Sequence, residues 1–219
     1  MNTLRHRYQT IEFGDSDIHL RTLRDRQQYA DPEGLAAELG ISSANWPLFG
    51  VVWDSSKVLA HLMHEFEIKG KRILEVGCGM ALSCHVLNSR LADITATDYH
   101  PEVESYLAVN VELNNSRPIS FKRCDWADKE DGLGRFDLII GSDLLYELNH
   151  PTLLSSFIDK HASLECEIII VDPGRSQTAS FCKKMNAMNY ACTKSPAENT
   201  DYLVKPFKGK ILRFTRRLN

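Results

Sequence analysis

The run I-L-E-V-G-C-G (73–79) followed by D-I-T-A-T-D (93–98) decides how this chain folds. Ile73 to Val76 reads as a short buried strand that breaks at a turn made by Gly77, Cys78 and Gly79. An amphipathic stretch from Ala81 to Leu87 follows, then a second strand from Asp93 to Thr97. Strand, turn, helix and strand in that order predict parallel pairing across a helical crossover. The alternation continues downstream. Pro101 to Leu113 reads as a helix with proline in its first turn, and Ile119 to Lys122 as a weaker strand. Phe136 to Ile140 is a continuous apolar run of the kind that suits a central parallel strand. Thr152 to His161 and Thr178 to Met188 read as helices on either side of a strand at Glu167 to Val171. The last two β-rich runs, Tyr190 to Thr193 and Ile211 to Thr215, have no helix between them and predict an antiparallel hairpin at one edge.

Upstream, Val58, Leu59, Leu62, Met63 and Phe66 recur at helical spacing, with Asp54, Ser55 and Ser56 available to cap that helix. Before Trp46 the character changes. Tyr8 to Phe13 and Ile18 to Leu23 flank the turn-like Gly14-Asp15-Ser16-Asp17, and a short helix from Pro32 to Leu39 ends at Gly40. The expected fold is α/β, Rossmann-like and doubly wound. It has a mostly parallel seven-stranded sheet with an antiparallel C-terminal hairpin and an N-terminal extension. The expected division is an extension over residues 1–45, hairpin plus short helix, and a main domain over 46–219.

Composition narrows the function classes. The 219 residues are 43% hydrophobic and 25% charged, enough to bury a core without disulfides or a structural metal. A net charge of −3 does not describe a polyanion binder, so a nucleic-acid partner is not expected. The longest aliphatic run, Ile168 to Val171, is far short of the roughly 18 apolar residues that span a bilayer. The first 25 residues carry no apolar signal core. Six cysteines (Cys78, Cys84, Cys124, Cys166, Cys182, Cys192) contain no C-x-x-C pair and read as buried thiols of a reducing compartment, which points to the cytoplasm. His61 and His64 share a helix face, but H-x-x-H-E is not the zinc-protease order and has no third ligand in view, so no metal is expected.

In an open parallel sheet, ligands sit outside the carboxyl ends of the strands where strand order reverses. A dinucleotide site wants a small residue three positions after the second glycine, and here that residue is Leu82. Asp98, which lies 21 residues after Gly77, is placed to accept the two hydroxyls of a ribose. Glu75, just before the first glycine, would repel a pyrophosphate. A ligand with a ribose, a cationic end and no phosphate fits these charges, and S-adenosylmethionine is such a ligand.

With E-V-G-C-G and its downstream Asp98, the segments V-V-W-D-S-S-K-V-L-A (51–60), D-W (125–126) and F-D-L-I-I-G-S-D-L-L-Y (136–146) resemble those of class I methyltransferases. The resemblance is to the seven-β-strand protein-lysine methyltransferase group called methyltransferase family 16, over residues 50 to about 172. D-P-G-R (172–175) is similar to the electron-transfer-flavoprotein lysine methyltransferase branch. The resemblance implies that Trp53, Glu75, Gly77, Cys78, Gly79, Asp98, Asp125, Trp126 and Ser142 bind the cofactor. Trp126 offers adenine a flat wall, Asp125 can accept from its amine, and Trp53 closes the site. Each tryptophan also admits the plainer reading of a core residue.

Asp143 and Tyr146 follow the fourth strand of the main domain and are the expected catalytic pair. If a helical turn begins there, the two share one side of it. A lysine amine arrives protonated, and a carboxylate would attract and orient it. Leu144 and Leu145 stand where enzymes that methylate planar amides and base amines commonly carry prolines, which counts against such acceptors. The alternative for Asp143 is a helix N-cap. The partner expected is a lysine-bearing protein, with a small-molecule acceptor or a catalytically silent adenosyl-ligand binder as alternatives. Oligomeric state is not legible. Arg175 either meets an acidic substrate surface or pairs locally. The basic tail of Lys205, Lys208, Lys210, Arg213, Arg216 and Arg217 reads as protection for an edge strand.

Overall fold

A computed structural model of the chain describes residues 4–216. Its centre is a seven-stranded sheet in the order β5-β4-β3-β6-β7-β9-β8. The strands are β3 Arg72–Val76, β4 Asp93–Asp98, β5 Ser120–Arg123, β6 Phe136–Ser142, β7 Ala162–Asp172, β8 Tyr190–Ser195 and β9 Lys210–Arg216. All pairings from β5 to β7 are parallel, and β9 runs antiparallel to both β7 and β8. The chain therefore winds outward from β3 to β5, returns, and winds the other way from β6. Strand order reverses between β3 and β6.

Alternation along the strands makes two cores. Ile73, Leu138, Ile140, Ile169 and Val171 face one side, where α2 Asp54–Glu65, α3 Leu82–Ser89 and α4 Val103–Leu113 contribute Leu59, Met63, Leu82, Val86 and Leu107. Leu74, Val76, Ile139, Ile168, Ile170 and Leu212 face the other side, with Leu154, Phe157 and Ile158 of α5 His150–His161 and Phe181 and Met185 of α6 Thr178–Ala187. Each such fully buried aliphatic contributes about 1.5–3 kcal/mol through removal from water. The continuous apolar runs of β6 and β7 follow from burial on both faces.

The N-terminal hairpin, β1 His6–Phe13 and β2 Ser16–Leu23, turns on Gly14 and Asp15, with Phe13 paired to Ser16. Asn110 of α4 and Asn114, its C-cap, dock it. Asn110 Oδ1 accepts the Arg21 N–H at 2.8 Å, and Asn114 Oδ1 accepts the His19 N–H at 2.8 Å while its Nδ2 donates to the His19 carbonyl at 2.7 Å. Residues four apart on a helix thus meet residues two apart on a strand, and the amides stand in for a neighbouring strand. Phe13, Ile18, Leu20 and Leu23 join the same apolar core as α2 and α3. The short helix α1 is only Leu35–Glu38, ending before Gly40 at φ 76°.

Several local expectations need correction. The helix after Trp53 begins at Asp54 with no side-chain cap; Ser56 Oγ donates instead to the Trp53 carbonyl at 2.7 Å. Pro101 lies two residues ahead of α4, in a turn. No helical turn begins at Asp143. Residues 143–149 are irregular, Asp143 is left-handed at φ 56°, and α5 starts only at His150, so Asp143 is not its cap either. The basic tail does not guard an edge, because β9 lies between β7 and β8. Arg213 pairs with Glu167 at 2.8 Å and Arg216 with Asp159 at 3.2 Å, while Arg217 lies outside the described residues. Cys78, Cys84, Cys124 and Cys166 are buried thiols; Cys182 and Cys192 are half-buried thiols with sulfurs 3.6 Å apart.

Candidate active site at the carboxyl rim of the sheet

Parallel register brings the strand ends to one rim. Val76 lies opposite both Thr97 and Gly141, and Ser142 lies opposite Val171. The turn after β3, Asp98 after β4, Asp125 and Trp126 after β5, Ser142 and Asp143 after β6 and Arg175 after β7 therefore open onto one cavity of about 710 Å³. Its outer wall comes from Leu39 to Ile41 and from the 3₁₀ turn Trp46–Gly50 with Trp53.

The glycine turn has two separate reasons for its glycines. Gly77 is left-handed at φ 59°, and a Cβ there would lie 2.5 Å from Leu144 Cδ2. The space beside Gly77 is therefore filled by the leucine that follows Asp143, which ties the two strand ends together. Gly79 is left-handed at φ 52°, and a Cβ there would meet the Phe49 carbonyl at 3.1 Å. Asp98 organises the turn. Its Oδ2 accepts the Gly79 N–H at 2.8 Å and its Oδ1 the His100 N–H at 2.9 Å. Burial nevertheless raises its carboxyl above the usual carboxylate range. The Tyr99 backbone also donates to this carboxylate, which has about four acceptor sites in all and so keeps capacity for a further donor.

Glu75 is placed differently from the rest. It is buried under the turn, on the α3 side, and is absent from the cavity wall. Its Oε2 accepts the Cys84 N–H at 3.0 Å. Ala81, the N-cap of α3, has no side-chain oxygen, so a carboxylate reaching in from the strand satisfies the helix end and its dipole. Desolvation dominates over that hydrogen bond and pushes the Glu75 carboxyl up to about 7. Cys78, on the wall, is held well above the usual thiol range by burial and by the Asp98 and Glu75 carboxylates, so it stays a thiol.

Neither tryptophan is a core residue. Trp53 is half-buried, its Nε1 donates to the Leu48 carbonyl at 3.1 Å, and the Arg26 guanidinium covers its ring at 4.7 Å. Trp126 is half-buried and meets His150 edge-on at 5.1 Å. The core tryptophan is Trp46. Asp125 Oδ1 accepts the Ala127 N–H at 2.8 Å, which folds the segment after β5 back toward the cavity.

Past Leu144 the rim is held by side chains. His150 Nδ1 is bonded to the Leu144 carbonyl at 2.6 Å, and its ring meets Tyr146 at 4.6 Å. Tyr146 lines the cavity and is 48% exposed, so its ring stands at the mouth. Desolvation at the cavity and the carboxylates of Asp98, Glu147 and Asp143 push the Tyr146 phenol up to about 12, so it is a hydrogen-bond donor at neutral pH. Asp143 is paired with Arg175, whose side chain is the better exposed of the two and also lines the cavity.

Of the residues singled out from sequence, all but Glu75 line the one cavity. Sequence reasoning passed over Phe49, His100 and His150. Phe49 stacks on His100 at 4.1 Å and both line the cavity. The aromatic run W-P-L-F-G (46–50) just before a helix is a signal that could have marked Phe49; nothing local marks His150.

The sequence profile of the lysine methyltransferase family matches residues 42–188. Protein N-lysine methyltransferase METTL21A of Danio rerio is 33% identical over 126 residues, 52% of this chain and 57% of the relative. Electron transfer flavoprotein beta subunit lysine methyltransferase of Xenopus laevis is 26% identical over 138 residues, 61% of this chain and 55% of the relative. The chain thus spans little more than half the length of these curated relatives. Among solved structures, a ribosomal protein L11 methylase from Lactobacillus delbrueckii subsp. bulgaricus superposes with a TM-score of 0.55 at 19% identity, covering 74% of this chain and 80% of the other. The 16S rRNA N2 G1207 methyltransferase of T. Thermophilus gives 0.60 at 14% identity, covering 98% and 51%. The solved structures share the fold; the profile spans the glycine turn, Asp98, Trp126, Asp143 and Arg175 in one continuous match, and the chain belongs to the lysine methyltransferase family.

Proposed function

We propose that the protein is an S-adenosylmethionine-dependent N-methyltransferase whose acceptor is the side-chain amine of a protein lysine. The observation that carries this is the pairing of two unlike ends of one cavity. The glycine turn and Asp98 line it from the ends of β3 and β4, and Asp143 with Tyr146 from the end of β6. The wall fits such a donor. Asp98 has acceptor capacity left for a ribose hydroxyl, Trp126 and Asp125 suit an adenine face and its amine, and Ser142, Cys78 and the glycine turn suit the amino-acid part. Trp53 shields it from solvent. The carboxylates of Asp98 and Glu147 on the cavity wall favour a cationic ligand, the Asp143 charge being matched by Arg175. When bound, the sulfonium supplies an electrophilic methyl group. Glu75 acts on this half indirectly, by holding the start of α3 and hence the turn.

At the other end Asp143 accepts a hydrogen bond from the acceptor amine, and the Tyr146 ring gives its aliphatic stem an apolar wall. Holding the amine in line and excluding water then supply most of the acceleration. Residues 1–45 act as an extension that walls the cavity through Leu39, Gly40 and Ile41. Among the described residues no helix is long and apolar enough to cross a membrane, which together with the reduced thiols favours a cytoplasmic setting. A small-molecule amine is the second reading, favoured by that same N-terminal wall. Radiolabelled S-adenosylmethionine incubated with fractionated lysate tests the proposal. Label in protein, returning as methyl-lysine on hydrolysis, is expected; label confined to RNA or to the small-molecule fraction contradicts it.

A further inference from the structure

Asp143 does not stand alone at the rim. Arg175 Nε donates to its Oδ1 at 2.6 Å and Nη2 to its Oδ2 at 2.9 Å, a two-pronged pair that occupies both oxygens. The D-P-G-R run exists to hold that grip. Asp172, buried at the end of β7, accepts from the Gly174 N–H at 2.8 Å, the Arg175 N–H at 3.0 Å and Thr178 Oγ1 at 2.8 Å. Asp143 is fixed in turn, since its N–H donates to the Val171 carbonyl at 2.9 Å. Two neighbouring strand ends thus present a carboxylate and a guanidinium to the cavity in a set relation, and both line it.

A lone carboxylate is a poor neighbour for a lysine that must react as the free amine. It attracts the ammonium and raises the amine pKa, so the reactive form becomes scarce. A guanidinium on the same carboxylate removes that bias, because the pair has no net charge while the carboxylate lone pairs still accept an N–H. We infer that Arg175 is a positioning residue that offsets the charge of Asp143, so that the acceptor lysine is held there as the neutral amine. This rests on the lysine reading above. The other charged and titratable groups facing the pair are Tyr146, Glu147 and His150 from the segment after β6, Asp98 at the end of β4 and Asp172 under Arg175. The hydrogen bonds to Asp143 raise Arg175 further above its ordinary value, so its charge is constant across the working pH range.

The test is methyl transfer from tritiated S-adenosylmethionine into heat-treated lysate protein by the full chain. Initial rate is read on the main labelled band from pH about 6.5 to about 9.5, around the range where a perturbed lysine titrates. The parent is compared with Arg175→Gln and Arg175→Lys, each first checked for a cooperative melt; Arg175→Met replaces the Gln variant if that does not fold. In Arg175→Gln the midpoint of the pH–rate curve should move up by about one unit, making it about tenfold slower near pH 7 and close to the parent at the alkaline end. Arg175→Lys keeps the charge and loses the fork. It should retain the parent midpoint with a rate lower by a few-fold throughout. A uniform loss in Arg175→Gln with an unmoved midpoint, or the same shift in both variants, would overturn the inference while leaving the lysine reading intact. No protein label from the parent would overturn both.

Discussion

The two ends of the cavity are built by different means. At the β3–β4 end, backbone does the work: two left-handed glycines, and a carboxylate whose two oxygens each hold a backbone N–H. At the β6–β7 end, side chains do it. Arg175 grips Asp143 across 32 positions of sequence, and His150 holds the Leu144 carbonyl across six. The first end is tied to the sheet by backbone hydrogen bonds. The second is an irregular segment whose shape depends on partners supplied from elsewhere. A site assembled this way can keep one donor pocket while its acceptor end changes, because each end fails by its own route.

The comparison can be broken first at Asp98. Asp98→Ala removes both the anchor of the glycine turn and the expected ribose acceptor, and should weaken S-adenosylmethionine binding by about 2–3 kcal/mol, the range for hydrogen bonds to a charged group. Calorimetric titration reads it, and unchanged affinity would separate Asp98 from the donor. Next is the joint between the ends. Gly77→Ala puts a methyl against Leu144 in a left-handed backbone, for a loss of about 2 kcal/mol in chemical denaturation. Leu144→Ala in the same chain clears the clash, so the double variant should lose less stability than the sum of the two single losses; strict additivity would show that the two ends are not coupled there.

Glu75 sharpens the backbone end through pH. Its carboxyl sits at about 7 in the fold against an ordinary 4.5, so between these values the folded protein binds the extra proton. Stability from this group is therefore full below pH about 4.5 and declines as pH rises toward about 7, by at most about 1.4 kcal/mol per pH unit. Glu75→Gln should flatten that part of the stability–pH curve, and an unaltered slope would move the titration to another group. The smallest effect belongs to Tyr146→Phe. The ring remains at the mouth and only the hydroxyl is lost, so methyl transfer should fall by about tenfold or less, below the roughly 10²–10⁴-fold of a group that transfers the proton itself. A larger loss would make the phenol, not the carboxylate, the principal group of the acceptor end.

What the sequence disclosed follows the same division. The strand–turn–helix run from Ile73 to Asp98 was readable because each of its features is local: apolar alternation, glycines where the backbone turns, an acid at a strand end. The mostly parallel sheet and the C-terminal hairpin followed from the same periodicity, whereas the strand order, with its reversal between β3 and β6, is seen only in the fold. Glu75 was harder to read. A buried acid next to a glycine turn looks like a ligand contact, and only the side of the sheet it faces reveals that it serves α3. At the acceptor end, the spacing of Asp143 and Tyr146 suggested a helical turn, but a left-handed Asp143 and the Leu144 packing between Gly77 and Gly141 forbid one. The partner of Asp143 was visible in sequence only as an arginine in a four-residue run. Long-range side-chain pairing leaves no periodic trace, so the Asn110 and Asn114 bonds to the hairpin and the His150 contact were equally hidden.

The most direct measurement sets both ends against each other in one variant. Asp143→Asn keeps the shape of the side chain and removes its charge. Calorimetric titration with S-adenosylmethionine should give an affinity within a few-fold of the parent, while methyl transfer into lysate protein should fall by about 10²-fold or more, because the amide cannot hold the Arg175 fork and the acceptor amine loses its alignment. Equal loss of donor binding and turnover would contradict the account, because it would put Asp143 in the donor half of the cavity.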